Sequence, residues 1–421
     1  MMQEKTIEQA AVSTQRLYYE DSHKSEFTAT VLACRAYKDK YGILLDRTSF
    51  FPEGGGQFGD TGWLCKKGEE GENAQELQTR REQKAVAVLD TQEKDGMIWH
   101  VTDLPLEAGD EVAGRLDFEK RFDRMQQHSG EHILSGIVHR LYGLDNVGFH
   151  LGEELTTLDF NGELSKDQVR TVETLANQAV FADLPVEVLY PAKEELAALE
   201  YRSKIEIEGQ VRIVQIPGVD RCACCAPHVG RTGEIGLIKI LSCERHRGGC
   251  RMVMVSGSRA LQDYMQKQES VEAVSVALSA KQEAVAQAVL HQKEQISALR
   301  EQLNRLQAAS LSGQLEQIRP DQQDVCLFVE DFDMIAVRSF VNQAMERCSG
   351  LCAAFEGTEE EGYHYIIGSS RLDTRTAAKA LRESFGGKGG GRPEMVQGFV
   401  CGKEQEIRAL LARCAAEQTG E

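Results

Sequence analysis

Between Ala260 and Ser312 this chain has neither proline nor glycine, and that stretch limits the possible folds more than any other. Within it Leu278, Val285, Val289, Ile296, Leu299, Leu303 and Leu306 recur at spacings dominated by threes and fours. Apolar residues at that period, with no backbone breaker among them, predict one long amphipathic helix or a helical hairpin. A single helix of about 50 residues would extend about 75 Å, so its apolar seam needs a partner. The seam reads as an interhelical contact inside a spacer. The second reading is a helix that pairs with another copy, which would make a homodimer through the C-terminal region.

The connector divides the chain, and the 421 residues exceed what one hydrophobic core serves. The expected fold is multidomain α+β. Residues 1–110 carry short alternating segments separated by Gly-rich turns, such as Ala29 to Ala33, Tyr41 to Leu45 and Lys84 to Leu89, and predict a small β-barrel. The polar stretch Gly68 to Arg81 reads as an exposed loop within it. Residues 111–258 mix periods and predict an α+β domain. A helix from Glu119 to Tyr142 ends at Gly143, another helix follows Ser165, and short strands lie near Pro185–Leu189 and Val211–Ile216. Residues 259–312 are the helical connector. Residues 313–421 predict an α/β domain, with strands at Val325–Val329, Met334–Val337 and Tyr365–Ile367 and a helix over Asp373–Phe385.

Composition narrows the chemistry. The segment Met1 to Ser22 has no apolar run of the secretory kind, and no apolar run approaches the ~18 residues that cross a bilayer, so a cytoplasmic protein is expected. A net charge of −18 argues against indiscriminate nucleic-acid binding. Local charge differs: six Lys/Arg face two Asp/Glu from Arg221 to Arg251, and again six face two from Arg371 to Arg392. Of twelve cysteines, seven are scattered and read as packing thiols, whereas five fall between Cys222 and Cys250.

That cysteine cluster acquires meaning beside His128-Ser-Gly-Glu-His132. Two imidazoles at i and i+4 lie on one face of the expected helix, about one turn apart. Cys224-Cys-Ala-Pro-His228 repeats the separation with a thiol and an imidazole. Two N/S pairs far apart in sequence suit tetrahedral Zn2+. Cys222 and Cys225 stand close enough to compete with Cys224, and spacing alone leaves the sulfur open. His128-x-x-Glu131-His132 also matches the pattern of inverted zinc proteases, but that reading needs a carboxylate ligand on a following helix and leaves the downstream pair unexplained.

Four blocks together carry a resemblance. They are Asp46 to Gly62, with Pro-Glu-Gly-Gly-Gly-Gln at its centre; Arg121 to Ser135; Cys224 to Gly236; and Gly386-Gly-Lys-Gly-Gly-Gly-Arg-Pro393. In that order they resemble the alanyl-tRNA editing proteins of the long type, which are similar to the editing and C-terminal parts of alanyl-tRNA synthetase. The last block is similar to the glycine motif of the DHH-associated domain; on its own it reads as a flexible loop or a phosphate-cradling turn. Where the family has Cys-Gly-Gly-Thr-His, this chain has Cys-Cys-Ala-Pro-His, which keeps the ligand positions but adds a thiol and a stiffening proline.

The resemblance implies a hydrolase acting in trans, releasing serine or glycine from mischarged alanine tRNA at a zinc-containing site. No segment is expected to supply the synthetase's aminoacylation domain. A related editing of seryl-threonine tRNA, or non-catalytic tRNA and zinc binding, are the alternatives. The implied metal ligands are His128, His132, Cys224 and His228. Gln57 is implied to orient substrate or water, Thr48 to read a serine hydroxyl, and Gly54, Gly55 and Gly56 to admit the aminoacyl end closely. Glu131 is a candidate base, an exposed helix position being the other reading. Arg371, Arg375, Lys379 and Arg382 share one helical face by spacing and are candidates for gripping RNA phosphates, with an ordinary solvated face as the alternative.

Overall fold

The computed structural model describes residues 14–67, 85–203, 210–319 and 322–419. Gly68 to Arg81, expected as an exposed loop, lies outside the described residues. The chain divides into two compact units, Met1–Ser270 and Val271–Glu421.

The first unit begins with β1 (Gln15–Arg16) and β2 (Glu26–Tyr37), followed by β3 (Lys40–Leu45), β4 (Arg47–Thr48), β5 (Gly62–Lys66), β6 (Val86–Lys94), β7 (Met97–Thr102) and β8 (Glu111–Leu116). Six of these close a barrel in the order β2-β3-β7-β6-β5-β8. Antiparallel pairing runs all the way round, with Phe27 opposite Gly114 where β2 meets β8. Alternation along β2 sends Phe27, Ala29 and Val31 inward to join Ile43, Leu45, Leu64, Val88 and Val112. Each large apolar side chain so buried contributes roughly 1.5–3 kcal/mol. Bulges at Val31/Ala33 and Val88/Asp90 bend the strands enough to close the ring.

The barrel leads directly into α1 (Phe118–Tyr142), capped by the Asp117 carboxylate and ended by Gly143 in the left-handed conformation at φ 66°. Next come β9 (Asn146–Leu151), β10 (Thr156–Phe160), α2 (Lys166–Phe181), β11 (Glu187–Leu189), α3 (Lys193–Ala198), β12 (Ile213–Ile216), β13 (Asp220–Ala223), β14 (Ile238–His246), β15 (Gly249–Ser256) and α4 (Gly257–Leu278). Ser165 and Gln168 form a reciprocal capping box that starts α2. The sheet β14-β15-β10-β9 packs against α1 and α2 through Met125, Ile133, Ile137, Leu158, Val172, Met252 and Met254. A separate sheet β11-β12-β13 brings the strand before Cys224 alongside α1.

In the second unit α5 (Val285–Glu316) precedes β16 (Val325–Val329), α6 (Met334–Arg347), β17 (Cys352–Thr358), β18 (Gly362–Gly368), α7 (Thr374–Phe385), β19 (Lys388–Arg392), β20 (Met395–Val400) and α8 (Glu404–Thr419). The expected strand at Met334–Val337 is a correction: those residues open α6 behind the Asp333 cap. Its buried positions Val337, Phe340, Val341 and Ala344 follow the helical period, which a four-residue window cannot reveal. The sheet order is β16-β17-β18-β20-β19. Only β16 and β17 run parallel, so the expected α/β tail has a mixed, mostly antiparallel sheet. Both faces are covered. Ala353, Phe355 and Tyr365 face α7 and α8, while Cys352, Ala354 and Ile366 face α6 and the end of α5.

Candidate metal centre

Every residue of α1 from Met125 to Val138 is buried, including Gln126, Gln127, His128, Ser129, Glu131, His132 and Ser135. A helix this polar can be interior only if its side chains find partners. Gln127 does so by pairing like a strand with Ser256, donating to its carbonyl at 2.8 Å and accepting from its amide at 2.7 Å. Gln126 donates to the Glu234 carbonyl at 2.9 Å. The two histidines point elsewhere.

The imidazole rings of His128, His132 and His228 lie within 5.4 Å of one another by centroid. Cys224 Sγ is 3.5 Å from His128 Nε2 and 3.4 Å from His228 Nε2. One donor atom from each of the four residues falls within 4.8 Å of the others. A tetrahedral zinc bound at its usual nitrogen and sulfur distances needs donor separations of about 3.3–3.8 Å, so the two sulfur–nitrogen distances match.

The opposite nitrogens make the stronger test. His128 Nδ1 donates to Gln57 Oε1 at 3.2 Å, His132 Nδ1 donates to Asp220 Oδ2 at 3.0 Å, and His228 Nδ1 lies 3.0 Å from Ser129 Oγ. Each ring therefore has its Nδ1 engaged, the arrangement that orients metal-binding imidazoles. Electrostatics agree. Burial alone would raise the Cys224 thiol, but His128 and hydrogen bonds from the three imidazoles hold it well below its ordinary value. Burial would push His132 down, yet Asp220 and Cys224 lift it to about 9. Burial and the neighbouring His132 push His228 down to about 3. These residues fit Zn2+. A shell of three imidazoles and one thiolate fills a tetrahedron without a carboxylate, unlike the inverted-protease pattern.

The three nearby thiols differ. Cys224 alone joins all three histidines; Cys222 is buried and shares a group with His132 and Asp220; Cys225 is exposed and belongs to neither group. Pro227 lies in a loop that Arg212 fixes by donating to the Cys224 and Ala226 carbonyls at 2.8 and 3.1 Å.

The glycine-rich loop is tied to the same helix. Gly54 and Gln57 exchange backbone hydrogen bonds at 3.0 Å, and Gly55 and Gly56 adopt φ of 61° and 81° between them. A Cβ on Gly56 would lie 2.7 Å from the Phe149 ring, and one on Gly55 would lie 3.6 Å from Cys225 Sγ. Phe149 in turn packs on His128 with centroids 4.9 Å apart. Gln57 is buried, and its Nε2 has no hydrogen-bond partner among the described residues. At the loop's end Asp60 takes a buried ion pair from Arg121, and Arg124 donates to the Gly59 carbonyl at 2.8 Å.

Other expected residues fare differently. Glu131 is buried, not exposed: its Oε1 accepts from Ser135 Oγ at 2.7 Å and Asn146 Nδ2 at 2.6 Å, and Oε2 lies 3.8 Å from His132 Nε2. Thr48 is wholly buried; its hydroxyl donates to His100 Nε2 at 2.8 Å and accepts from the Phe50 amide at 3.0 Å. Arg371 precedes α7, whereas Arg375, Lys379 and Arg382 lie within it, exposed and opposite buried Ala377, Ala378 and Leu381. Arg375 is held by Asp373 at 2.6 Å, and Lys379 lies 3.8 Å from Glu383. The glycine run at 386–393 is neither a loop nor a turn for most of its length, since Lys388–Arg392 is the exposed edge strand β19. Asp220, Arg202, Ser129, Asn146 and His100 carry no spacing signal and enter the site only through the fold.

No helix among the described residues is long and apolar enough to cross a membrane. Residues 211–253 match the model for the threonyl and alanyl tRNA synthetase second additional domain, residues 1–120 that for class II (A) tRNA synthetases, and residues 321–417 that for the DHHA1 domain. The alanyl-tRNA editing protein AlaX-L of Pyrococcus horikoshii is 29% identical over 93% of this chain and 96% of its own. Alanine–tRNA ligases of Ignicoccus hospitalis and Pyrobaculum neutrophilum are 27% and 30% identical over 97% and 96% of this chain. The chain spans only 43% and 44% of those ligases. Along nearly its whole length, the chain resembles a long alanyl-tRNA editing protein and the corresponding part of the alanine–tRNA ligases.

Proposed function

We propose that this chain is an alanyl-tRNA editing hydrolase that releases serine or glycine from mischarged alanine tRNA at a zinc-containing site. The observation that carries the reading is the junction of two parts: the His128–His132–Cys224–His228 cluster, and the glycine-rich loop bonded to it through Gln57. Similarity to AlaX-L over nearly both chains supports the substrate class. Such an activity answers a physical problem, because an aminoacylation pocket for alanine discriminates poorly against one added hydroxyl or one missing methyl.

His128, His132, Cys224 and His228 would hold the zinc, and with all four donors used it would supply organisation, linking helix α1 to the Cys224 loop. The chain's own groups then do the positioning. Gln57 Nε2, a buried donor without a partner among the described residues, is the candidate to hold the ester carbonyl or the attacking water. Gly55 and Gly56 keep the surface beside Phe149 free of side chains, so a nucleotide end can approach the backbone. Glu131 is the candidate base, with one oxygen anchored by Ser135 and Asn146. Thr48 serves as a positioning residue, since its hydroxyl is bonded to His100 and to Phe50. Arg371, Arg375, Lys379 and Arg382 offer a cationic surface to the RNA backbone. The assumed shell also gives a metal prediction: His132→Ala and Cys224→Ala proteins lose zinc.

The decisive assay incubates purified protein with alanine tRNA charged with serine, glycine or alanine. Release of serine or glycine in preference to alanine is expected; no release at micromolar protein sinks the proposal and leaves RNA or metal binding. The matching additional domain is shared by threonyl and alanyl synthetases, so serine-charged threonine tRNA belongs in the same assay as the second reading. For the partner, Val289, Ile296 and Leu303 at a positions with Leu299 and Leu306 at d positions are exposed along α5. Two of the three a residues, Val289 and Ile296, are β-branched and both d residues are leucine, a pattern that favours a parallel two-stranded coil and supports a homodimer through this helix.

A further inference from the structure

Asp220, Cys222 and Cys224 alternate along and just beyond β13, so their side chains share the face turned to α1. Two overlapping donor groups result. One is His128, His132, Cys224 and His228; the other is His132, Asp220 and Cys222, all three buried. His132 belongs to both, and ligand chemistry alone would let a soft divalent cation choose either. What separates them is Arg202. Its Nε donates to Asp220 Oδ1 at 2.7 Å and its Nη2 to Oδ2 at 2.9 Å. The same Oδ2 accepts from His132 Nδ1 at 3.0 Å. Both carboxylate oxygens are therefore committed, and a guanidinium charge sits against the second group. Arg202 is itself pinned beside Cys222: its amide donates to the Arg221 carbonyl at 2.8 Å, and its carbonyl accepts from the Ala223 amide at 2.9 Å.

We propose that the Arg202–Asp220 pair is a selector: it turns His132 so that Nε2 serves the Cys224 group, and it closes the His132–Asp220–Cys222 group to metal. Arg202 and Asp220 are positioning residues that never touch substrate. The inference rests on the metal-site reading above and adds to it which sulfur is used and why. A cation repelled by Arg202 and denied a free carboxylate oxygen at Asp220 goes to Cys224, the other sulfur grouped with His132 among the described residues.

The test uses the full chain, stripped of metal and titrated with Co2+, whose thiolate charge-transfer absorption reports a bound sulfur, together with zinc affinity measured against a chromogenic chelator. In the native chain, Cys222→Ser is expected to leave both readouts within twofold, and Cys224→Ser to abolish the band. Asp220→Asn should weaken zinc binding about 10–100-fold. The discriminating variant is Cys224→Ser combined with Arg202→Met: a thiolate band returns, and it disappears again when Cys222→Ser is added. A band through Cys222 in the Cys224→Ser protein with Arg202 intact, or no band on removing Arg202, overturns the selector. Far-UV circular dichroism of each metal-free variant confirms folding; if Arg202→Met does not fold, Arg202→Gln in the same background replaces it with the same two outcomes. A native chain that binds neither Co2+ nor zinc instead overturns the metal-site reading itself.

Discussion

Arg121 and Asp60 lie 61 residues apart with side chains almost wholly excluded from water, at 0% and 2% exposure. The guanidinium donates its Nε to both Asp60 oxygens at 3.1 and 2.9 Å, and also reaches the Ser22 and Ser49 carbonyls at 3.1 and 2.7 Å. Asp60 in turn accepts from the Phe51 amide at 2.6 Å. This one pair therefore ties α1 to both ends of the glycine-rich loop. Among the described residues, Arg121→Met leaves a buried carboxylate with the Phe51 amide as its hydrogen-bond donor and Arg124 at 3.9 Å. Removing one partner of such a pair costs about 3–5 kcal/mol, most of it the penalty of the stranded charge. Asp60→Asn should cost less, because the amide still accepts hydrogen bonds. The double variant strands no ion, so its loss should fall at least ~2 kcal/mol short of the sum of the two single losses.

Both tryptophans of the chain, Trp63 and Trp99, lie in barrel strands β5 and β7. Tryptophan fluorescence during urea unfolding of the full chain thus reports the barrel to which the loop belongs. If the single variants each lose under 1 kcal/mol, or if their losses simply add, the pair is not the clamp described here. The deacylation assay supplies a second readout, since a loosened Gln57 should lower kcat in Arg121→Met before the protein unfolds.

His100 is buried and, through its desolvation, pushed down to about 4, with only its bond to the Ile43 carbonyl opposing the shift. The folded state therefore binds its proton later than the unfolded chain, whose histidine titrates near 6.5. Barrel stability should be constant above pH 6.5 and fall by about 3 kcal/mol as pH drops towards 4, a slope that His100→Phe removes in fluorescence-monitored unfolding at pH 7 and pH 5. On the glycine motif, a Cβ at Gly389 would meet the Tyr365 hydroxyl at 2.0 Å, while one at Gly390 meets nothing within 4 Å. Gly389→Ala should lose about 1–3 kcal/mol and Gly390→Ala stay within about 0.5; equal losses in calorimetry would refute the edge-strand account. For the proposed homodimer, the native chain should have a dimer's mass in light scattering and replacing Leu299 and Leu303 by glutamate should halve it; a monomeric native chain, or an unchanged mass in the variant, would remove α5 as the dimer contact.

What could be read in advance depended on how each feature is written into the chain. The histidine pair at i and i+4, the Cys224/His228 pair and the stop at Gly143 are local patterns, and the structure has the helix ending at that glycine and the four donors together. Barrel strands were legible for the same reason, since alternation repeats every two residues. Met334–Val337 misled because four apolar or small residues fit either period, and only the longer run to Ala344 decides for helix. For Glu131 the burial removes only the alternative of an exposed helix position: Ser135 and Asn146, the second of them beyond the helix, hold it inside, and no local pattern announces that. The remainder is non-local by construction. Asp220 stands 88 residues from His132 and Arg202 stands 18 from Asp220, separations that no motif spacing encodes. Metal-binding residues must be of particular types and therefore announce themselves. The groups that aim them need only a donor or acceptor at the right place, so nearly any polar residue serves, and their identity becomes visible only when the fold has brought β13 against α1.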